Sequence, residues 1–459
     1  MHLKNITLRN FRCFGNITVD LHPQLTVFVA ENGGGKTALL DGIAIGLSPI
    51  LRLLSSANQR LSGPGIEDTD FRLESWEGRG GEDRWGSSDY AQVVVETTTG
   101  LRWDNWRPSA QVKKPCEAIG QIDLTAFASE VLESVKTASA IPLPVFAYYG
   151  ARRGWIVVPE RLRVSKVDYN HPTSALVGAL KSLSDFKEML KWFDIAETTE
   201  LRANKGVAPE DFIEYPPLEL VRATLVAILG EAYENPRFNA KHKFVVTDKR
   251  TECELQVSQL SQGYQAMLAL GMDFARRLGL ANAHYIDDTD SIFPLREPQP
   301  ARAPAIMLVD EIDLHLHPSW QQRVLSDLMK AFPNTQFIVT THSPQVLTTV
   351  KRENIRLLKE DSDGAWTAPM PDEEIKGVES AVVLNDVMKV NPVPPVEEAK
   401  WLADYTALIE SGLHDTDGGR DLRGKLVKLY GEKHPVILDA DRLLRFQSFK
   451  LRNQQQTKG

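Results

Sequence analysis

Short, wholly apolar runs in this chain end abruptly at polar or acidic residues. Residues 306–309 read IMLV and are followed at once by Asp310 and Glu311. Residues 336–344 read QFIVTTHSP and carry a second apolar run that ends just before His342. Runs this short and apolar are typical of strands buried on both faces of a parallel sheet. Because α/β sheets bind ligands beyond the carboxyl ends of their strands, these polar residues mark a candidate site.

A strand, a glycine-rich turn and a helix follow one another near the amino terminus. Residues 3–14 alternate loosely, residues 21–29 predict a second strand, and residues 37–54 predict an apolar helix. The turn between this strand and this helix contains the sequence NGGGKT at residues 32–37. This context favours a phosphate-binding loop over an isolated glycine motif.

The remaining hydrophobic pattern predicts a hairpin, several strands and many helices. Residues 61–86 are rich in glycine and charge and predict a surface loop. Sustained heptads are absent, so an extended coiled-coil arm is not predicted. The other predicted elements are a hairpin at 92–97 and 101–106, a strand at 143–149, an amphipathic helix from Leu176 to Phe193, strands within 243–257, and helices at 264–280, 319–331, 396–411, 421–430 and 439–452.

These elements predict a chain divided into four consecutive parts. Residues 1–154 and 241–390 would form the two parts of one α/β head, separated by a compact, mostly helical insert at residues 155–240. Residues 391–459, which follow a proline-rich linker, would form a helical region for oligomerisation or partner docking. The nucleotide-binding residues discussed below all fall in the two head parts.

Composition limits the classes of function that the chain can have. The 459 residues are 42% hydrophobic and 25% charged, with a formal net charge of −8. A whole-surface electrostatic grip on nucleic acid is therefore not expected, and any such contact would be local or indirect. Cys13, Cys116 and Cys253 are far apart and lack metal-ligand spacing, which suits reduced thiols. No secretory leader and no apolar run of ~18 residues is evident, so a cytoplasmic protein without membrane contact is expected.

The glycine-rich loop has the residue types that phosphate binding requires. Consecutive glycines, Gly33, Gly34 and Gly35 after Asn32, let backbone N–H groups converge on an anion. Lys36 would reach the β- and γ-phosphates of ATP, and Thr37 would ligate Mg²⁺. Ala30 stands where such loops usually begin with glycine, a position that shapes the turn. The alternative is a glycine-rich turn that binds nothing.

The two acids after the first apolar run suit a divided catalytic task. Asp310 would hold Mg²⁺ through water, and Glu311 would orient or deprotonate the attacking water. The alternative is a solvated strand end without chemistry.

A second predicted anion site lies at the sequence LSQGY, residues 260–264. Ser261, Gln262 and Gly263 would begin a helix, where a hydroxyl and exposed N–H groups favour an anion. Because the chain already has a complete phosphate loop, this second site would serve the nucleotide of another copy. The prediction is a head-to-tail homodimer, or a higher homo-oligomer, that encloses two ATP molecules. A simple helix cap is the alternative.

Two further groups of residues suggest metal chemistry less strongly. His315 and His317 are spaced i, i+2 in an irregular segment without a third ligand nearby, which favours a loop at the dimer interface. Glu379 with Asp439 and Asp441 suggests a Toprim-type nuclease, but Asp439 is better explained as the cap of a helix start.

With these motifs in order, residues 1–359 resemble an ABC-type ATPase of the RecF/SMC/OLD group. The resemblance rests on LKNITLRNFRCF at 3–14, the glycine loop, LSQGY at 260–264, DEIDLHLHP at 310–318 and TTHSP at 340–344. It implies an α/β fold with an ABC-type ATPase head, in which a phosphate-loop sheet is flanked by helices. It also implies that His342 is the switch histidine that contacts the γ-phosphate.

The tail resembles a narrower group, the Septu-type PtuA-like ATPases, including those attached to retrons. The segments that carry this resemblance are EAKWLADY at 398–405, residues 413–417 and residues 434–449. The resemblance implies a regulatory ATPase of bacterial anti-phage defence, with slow or controlled hydrolysis, that assembles with a separate HNH nuclease. A retron-associated form would also meet a reverse transcriptase and its DNA or RNA product. The alternatives are a self-contained OLD-type nuclease and a RecF-like repair ATPase.

Overall fold

The computed structural model describes residues 1–56, 59–77, 83–109, 118–137, 141–151, 167–182, 186–229, 232–283 and 299–456. The chain forms two compact units, Met1–Val383 and Leu384–Gly459. Cys116 and residues 155–166 of the predicted insert lie outside the described residues.

Strands and helices alternate through the first unit, and helices make up the second. The strands are β1 Leu3–Phe11, β2 Phe14–Asp20, β3 Leu25–Val29, β4 Leu73–Glu77, β5 Asp83–Ser87, β6 Tyr90–Thr97, β7 Arg102–Pro108, β8 Val145–Tyr149, β9 Tyr233–Phe238, β10 Phe244–Asp248, β11 Glu254–Gln256, β12 Ala305–Val309, β13 Thr335–Thr340, β14 Ile355–Leu357, β15 Lys359–Glu360 and β16 Trp366–Thr367. The helices are α1 Lys36–Leu53, α2 Gln121–Thr137, α3 Phe186–Ala203, α4 Pro216–Leu229, α5 Gln262–Ala281, α6 Pro318–Gln321, α7 Val324–Ala331, α8 Pro344–Leu347, α9 Ser380–Asp386, α10 Glu397–Glu410, α11 Asp417–Tyr430 and α12 Pro435–Gln456.

A five-stranded parallel sheet positions the candidate site. Its strand order is β14-β3-β13-β12-β8, and every neighbouring pair is parallel. All residues of β3, β8, β12 and β13 are buried, as expected for apolar strands covered on both faces. Parallel pairing brings the ends of β3, β12 and β13 to one edge of the sheet. The predicted α/β class with a phosphate-loop sheet is confirmed.

An antiparallel sheet of order β2-β1-β6-β7 lies against helix α1. Trp103 of β7 is fully buried, and its indole N–H donates to the carbonyl oxygen of Gly46 at 2.7 Å. The predicted hairpin is present as β6 and β7, whose paired residues include Val95 with Trp103. This sheet fixes the helix that follows the phosphate loop.

Three local predictions are wrong in detail. The predicted loop at 61–86 contains the antiparallel pair β4 and β5, a ribbon on which Leu73 and Trp85 are exposed. The predicted helix from Leu176 to Phe193 is not continuous, because a 3-10 turn ends at Leu176 and Gly178 takes a positive φ of 65° before α3 begins at Phe186. The predicted helix at 319–331 is two short helices, α6 and α7.

The tail unit has a small apolar core of its own. Tyr405 and Ile409 of α10, Leu426 of α11 and Ile437 of α12 are buried together. Phe446 and Phe449 of α12, by contrast, are 63% and 62% exposed. Two of the four large side chains predicted for the apolar face of the last helix therefore remain at the surface.

Within the described ranges, the structure has no helix of the length and apolarity that crossing a bilayer would require.

Candidate functional site

The glycine loop connects β3 to α1 and leaves its backbone open. Gly33 and Gly35 adopt positive φ angles of 79° and 77°, in the left-handed region that glycine enters without strain. Asn32 and Gly33 are exposed, and a Cβ added to Gly33 would meet nothing within 4 Å. The loop therefore has the shape and the free surface that an anion requires.

Gly34 explains how the loop tolerates Ala30 at its first position. A Cβ on Gly34 would lie 2.7 Å from the methyl carbon of Ala30 and 3.0 Å from the carbonyl oxygen of Glu31. The methyl group of Ala30 thus fills space that a side chain at residue 34 would need. The departure from the usual first glycine is accommodated within the loop.

Lys36 is held inside the loop by backbone oxygens. Its Nζ donates to the carbonyl oxygens of Ala30 at 2.8 Å and Glu31 at 3.0 Å, and the residue is 7% exposed. Burial lowers the pKa of Lys36, an effect that the nearby carboxylates of Asp310 and Glu311 oppose. The ammonium group is thus incompletely solvated and can exchange carbonyl partners for phosphate oxygens.

Thr37 and Asp310 meet although 273 positions separate them in the sequence. The Thr37 hydroxyl donates to Oδ2 of Asp310 at 2.8 Å. Asp310 is 3% exposed, and its Oδ1 accepts from the Thr340 hydroxyl at 2.6 Å. Carboxylate and hydroxyl oxygens are hard ligands that suit Mg²⁺, which commonly binds one or two carboxylates together with phosphate oxygens. The residues present therefore fit this ion together with a nucleotide phosphate.

Glu311 has a strained backbone that neighbouring strands hold in place. Its φ is 51°, which is uncommon for a residue with a side chain. Its N–H donates to the Thr340 hydroxyl at 2.7 Å, and the N–H of Asp310 donates to the carbonyl oxygen of Tyr149 at 2.8 Å. Strain of this kind persists only where the surroundings enforce it, often at functional sites.

His342 lies beside the same edge of the sheet, just after β13. Its N–H donates to Oδ1 of Asp313 at 3.3 Å, and the Thr341 hydroxyl donates to the same oxygen. Asp313 therefore ties the segment that follows β13 to the segment that follows β12. The structure brings Lys36, Thr37, Asp310, Glu311 and His342 to neighbouring strand ends.

The second predicted anion site begins helix α5. Ser261 is the N-cap, with its Oγ accepting from the N–H of Tyr264 at 3.5 Å, and both Ser261 and Gln262 are exposed. Gly263 is buried, and a Cβ there would lie 2.7 Å from the carbonyl oxygen of His315. The helix start thus packs closely on the segment that follows Asp310 and Glu311. Whether it serves the nucleotide of another copy stays a prediction.

The weaker metal candidates have other roles in the structure. His317 is the N-cap of α6, and its Nδ1 accepts from the N–H of Ser319. The expectation that Asp439 starts a helix is wrong, because α12 begins at Pro435, where the His434 ring accepts from the N–H of Val436.

The acids suggested for a nuclease are engaged in ion pairs or exposed. Asp439 accepts from Arg442 at 2.8 Å, Asp441 accepts from Arg423 at 2.5 Å, and Glu379 is exposed. The described part of the chain holds no group of three His, Cys, Asp or Glu residues that could bind a metal ion.

Two site residues were not identified from the sequence. Thr340 bridges Asp310 and Glu311 through its hydroxyl, and Asp313 joins Thr341 and His342. Their signal was present, since Thr340 ends the second apolar run and Asp313 follows the acid pair by two positions. Only the pairing of β12 with β13 shows that these residues face each other.

Two family models match parts of the chain. One is described as "AAA domain" and matches residues 5–203; the other is described as "AAA domain, putative AbiEii toxin, Type IV TA system" and matches residues 193–348. Together they include the glycine loop, the start of α5 and both acids of the site.

Similar proteins include two retron proteins and a Septu protein. "Retron Ec83 probable ATPase" of Escherichia coli is 27% identical, covering 96% of this chain and 86% of its own length. "Retron Vc95 probable ATPase" of Vibrio cholerae serotype O1 biovar El Tor is 23% identical, covering 92% of this chain and 86% of its own length. "Septu protein PtuA" of Bacillus mycoides is 27% identical over 41% of this chain and 26% of its own length.

More distant matches include a replication protein and solved structures. "DNA replication and repair protein RecF" of Listeria monocytogenes is 29% identical over 31% of this chain and 35% of its own length. The "SMC head domain from Thermotoga maritima" covers 81% of this chain and 100% of its own, at 14% identity and a TM-score of 0.36. The predicted resemblance to RecF-type ATPases and to the retron-associated and Septu-type defence ATPases is confirmed.

Proposed function

We propose that this chain, similar along almost its whole length to retron-associated ATPases, is the ATP-hydrolysing subunit of a bacterial anti-phage defence complex that controls a separate HNH nuclease. The retron and Septu relatives support the defence role, and the AAA-domain matches support ATPase activity. The observation that carries the proposal is the hydrogen bond of 2.8 Å from Thr37 to Asp310. This hydrogen bond joins the glycine loop to the acid pair, the two parts of the proposed magnesium–nucleotide site.

ATP would bind to the loop that precedes α1. The N–H groups of Gly33, Gly34 and Gly35 would surround the phosphates, with Asn32 at the exposed entrance to the loop. Lys36 would leave the carbonyl oxygens of Ala30 and Glu31 for the β- and γ-phosphates. Bound Mg²⁺ would neutralise charge on the phosphate oxygens. The oxygens of Thr37 and Asp310 would hold that ion.

Hydrolysis would depend on residues at the ends of β12 and β13. Glu311 would orient or deprotonate the attacking water, and its enforced backbone angle would aim the carboxylate. His342 would contact the γ-phosphate, and its backbone is positioned by Asp313. Hydrolysis is proposed to be slow and regulatory, because the task of the subunit would be to control a nuclease.

Two copies would share each nucleotide. The exposed Ser261 and Gln262, with Gly263, offer a second anion site at the start of α5, apart from the phosphate loop. A homodimer would complete two such composite sites, and higher homo-oligomers would be built from dimers. The proposed domains are an ATPase head formed by residues 1–154 and 241–390, a mostly helical insert at 155–240, and a tail at 391–459 for oligomerisation or partner docking.

Two substitutions test the catalytic assignment. Glu311→Gln should retain ATP binding but nearly abolish hydrolysis, while Lys36→Ala should weaken binding itself. Glu379→Gln is the matched control, since Glu379 is exposed and belongs to none of the nucleotide motifs. Binding is measured with a fluorescent ATP analogue and turnover by phosphate release. Hydrolysis at the wild-type rate in Glu311→Gln would refute the role of Glu311.

The tail unit is the proposed docking surface for the nuclease. Tyr405 and Ile409 are used in the unit's own core, whereas Phe446 and Phe449 are exposed beside the cations Arg442 and Arg445. Truncation after Pro392 should give a soluble protein that binds ATP but no longer retains its nuclease.

A double substitution provides a sharper test of the same surface. Phe446→Ser with Phe449→Ser should release a co-expressed HNH nuclease without loss of ATP binding. Leu429→Ser, at a residue that is 50% exposed on α11 of the same unit, should not release it. If the nuclease co-purifies equally with the wild type, the double variant and Leu429→Ser, this surface does not dock it.

A RecF-like repair function is the second candidate, favoured by the RecF match over 31% of the chain. The two functions predict different binding partners for the chain. A defence subunit should co-purify with an HNH nuclease and, if retron-associated, with a reverse transcriptase and its nucleic-acid product. A repair ATPase should bind DNA by itself. DNA cleavage by the purified chain alone would instead support a self-contained OLD-type nuclease.

A further inference from the structure

A partly enclosed cavity with several charged side chains in its walls lies apart from the glycine loop, between helix α5 and the end of strand β8. Its volume is about 150 Å³, so it could hold a ligand several times larger than a single water molecule. Tyr148 and Tyr149 of β8 form one wall, and Asp273, Arg276 and Arg277 of α5 form another. Lys181 and Glu188 contribute the other two charged side chains, next to the short apolar residues of 177–179.

Both oxygens of the acid on α5, Asp273, already accept hydrogen bonds. Oδ1 of Asp273 accepts from Nη2 of Arg276 at 2.6 Å, and Oδ2 accepts from Nε of Arg277 at 2.7 Å and from the Tyr149 hydroxyl at 2.9 Å. Burial by itself would raise the pKa of Asp273, but Arg277 and Arg276 outweigh it and hold that pKa below its ordinary value. Asp273 is therefore a carboxylate that two arginines share.

The second acid of the cavity is also engaged. Oε2 of Glu188 accepts from Lys191 at 2.8 Å, and Oε1 accepts from the Tyr169 hydroxyl at 2.5 Å. Glu188 and Lys191 neutralise each other, whereas Arg276 and Arg277 share one carboxylate and Lys181 adds a further charge. The walls of the cavity thus carry excess positive charge.

Arg276 provides the independent sign that a ligand is needed. The residue is 4% exposed, and its Nε is buried without a hydrogen-bond partner in the part of the chain that the structure describes. A buried guanidinium N–H without an acceptor is costly and rare. A bound molecule with an oxygen acceptor would supply the partner that this N–H lacks.

We propose that this cavity is a binding site for a phosphate-sized oxyanion, held by Arg276 and Lys181. The planar guanidinium matches the oxygen geometry of phosphate, and the lysine supplies a mobile charge at the rim. This site is separate from the glycine loop and uses none of its residues. Its ligand is the oxyanion itself, either free inorganic phosphate or the terminal phosphate of a mononucleotide.

Hydrogen bonds connect the walls of the cavity to the candidate nucleotide site. Tyr149 accepts the N–H of Asp310 through its carbonyl oxygen at 2.8 Å, and the Tyr148 hydroxyl donates to Asp41 of α1 at 2.7 Å. Helix α5 also begins at Gln262, in the proposed second anion site. An oxyanion in the cavity would therefore hold α5 against the strand that supports Asp310.

The test measures phosphate binding to the full chain in the absence of ATP. The Lys36→Ala protein is used throughout, because the substitution should weaken phosphate binding at the glycine loop. Inorganic phosphate and a nucleoside 5′-monophosphate are each titrated by calorimetry and by the shift of the melting temperature. Binding of either ligand, weakened at least tenfold by Arg276→Gln and severalfold by Lys181→Gln, is expected, and the better ligand identifies the source.

Two further variants keep this result interpretable. Arg323→Gln is the matched control, since Arg323 pairs with Asp327 on another helix and lies outside the cavity; it should bind phosphate as the parent protein does. Should Arg276→Gln not fold, Lys181→Gln decides, because residue 181 is exposed. Absence of binding, or binding that neither Arg276→Gln nor Lys181→Gln weakens, would overturn the proposal. Neither result would affect the ATPase proposal, because no ATP is present.

Discussion

Gly263, at the start of α5, packs against the 312–317 segment that follows Asp310 and Glu311, and Gly263→Ala should push the two apart. The added Cβ would lie 2.7 Å from the carbonyl oxygen of His315, whereas ordinary contacts begin at 3.4 Å. The helix start and the segment must therefore move apart by about 0.7 Å. Both sides of this contact are backbone, so no side-chain rotation can relieve it.

The size of the effect follows from overpacking. Inserting one methyl group into a closely packed contact costs typically about 1–3 kcal/mol. Replacing glycine in a helix by alanine returns up to about 1 kcal/mol through helix propensity. A net loss of about 1–2 kcal/mol of stability is therefore expected.

Activity should fall because the displaced segment carries Asp313. Asp313 positions Thr341 and His342, and misplacement of a catalytic group by about 1 Å can cost as much as 10²-fold in rate. We expect ATP hydrolysis to fall about tenfold or more, with ATP binding nearly unchanged because the glycine loop that carries Lys36 and Thr37 is not altered.

The assay compares melting temperature, ATP affinity and turnover with those of a matched variant. Gly65→Ala makes the same substitution in the same unit, where a Cβ would meet nothing within 4 Å. That variant should be as stable as wild type or slightly more so, because alanine restricts the unfolded chain. If Gly263→Ala melts and turns over like Gly65→Ala, the proposed importance of the contact between α5 and the 312–317 segment is refuted.

Three further predictions address other contacts. Thr340→Val should lower turnover and cost about 1–3 kcal/mol of stability, because it removes a donor to Asp310 and an acceptor for the N–H of Glu311; chemical unfolding and phosphate release would measure both, and unchanged values would contradict the bridge. The pKa of Asp273 in the folded chain lies below its ordinary value of 3.8, so its ionised form stabilises the fold above about pH 4 and this stabilisation is lost as the pH falls further. In an acid unfolding series, the difference in unfolding free energy between wild type and Asp273→Asn should therefore shrink only below about pH 4. Mixing Lys36→Ala chains with Ser261→Arg chains should restore at most one composite site per dimer, whereas full ATPase activity from a strict monomer in light scattering would exclude shared sites.

Much of the candidate nucleotide site could be predicted because its signals are local. The glycine run, the acid pair and the strand ends of β12 and β13 each lie within a few residues. Short apolar runs also gave the parallel strands, since a strand buried on both faces needs no alternation. The local errors arose where such signals were weak, as in the polar ribbon of β4 and β5.

The contacts that complete the site could not be predicted from local pattern. The sequence shows Thr340 only as the end of an apolar run; its hydroxyl bridges Asp310 and Glu311 because β13 lies beside β12. Gly263 has its meaning only through His315, more than fifty positions away. The tail was similar: its pattern predicted apolar faces, but the packing of α10 onto α11 and α12 selected Phe446 and Phe449 as the exposed pair.

The sequence by itself determined the fold class, the order of the motifs and the chemistry that each motif can perform. Those properties depend on periodicity, glycine conformations and neighbouring side chains, which act over one or two turns of chain. Tertiary structure alone decided that Thr37 meets Asp310, that Glu311 is held at a strained angle, and that Arg276 is buried without an acceptor. The physical reason is that hydrogen-bond satisfaction and close packing depend on distances in space, and residues hundreds of positions apart become neighbours only when the sheet has formed.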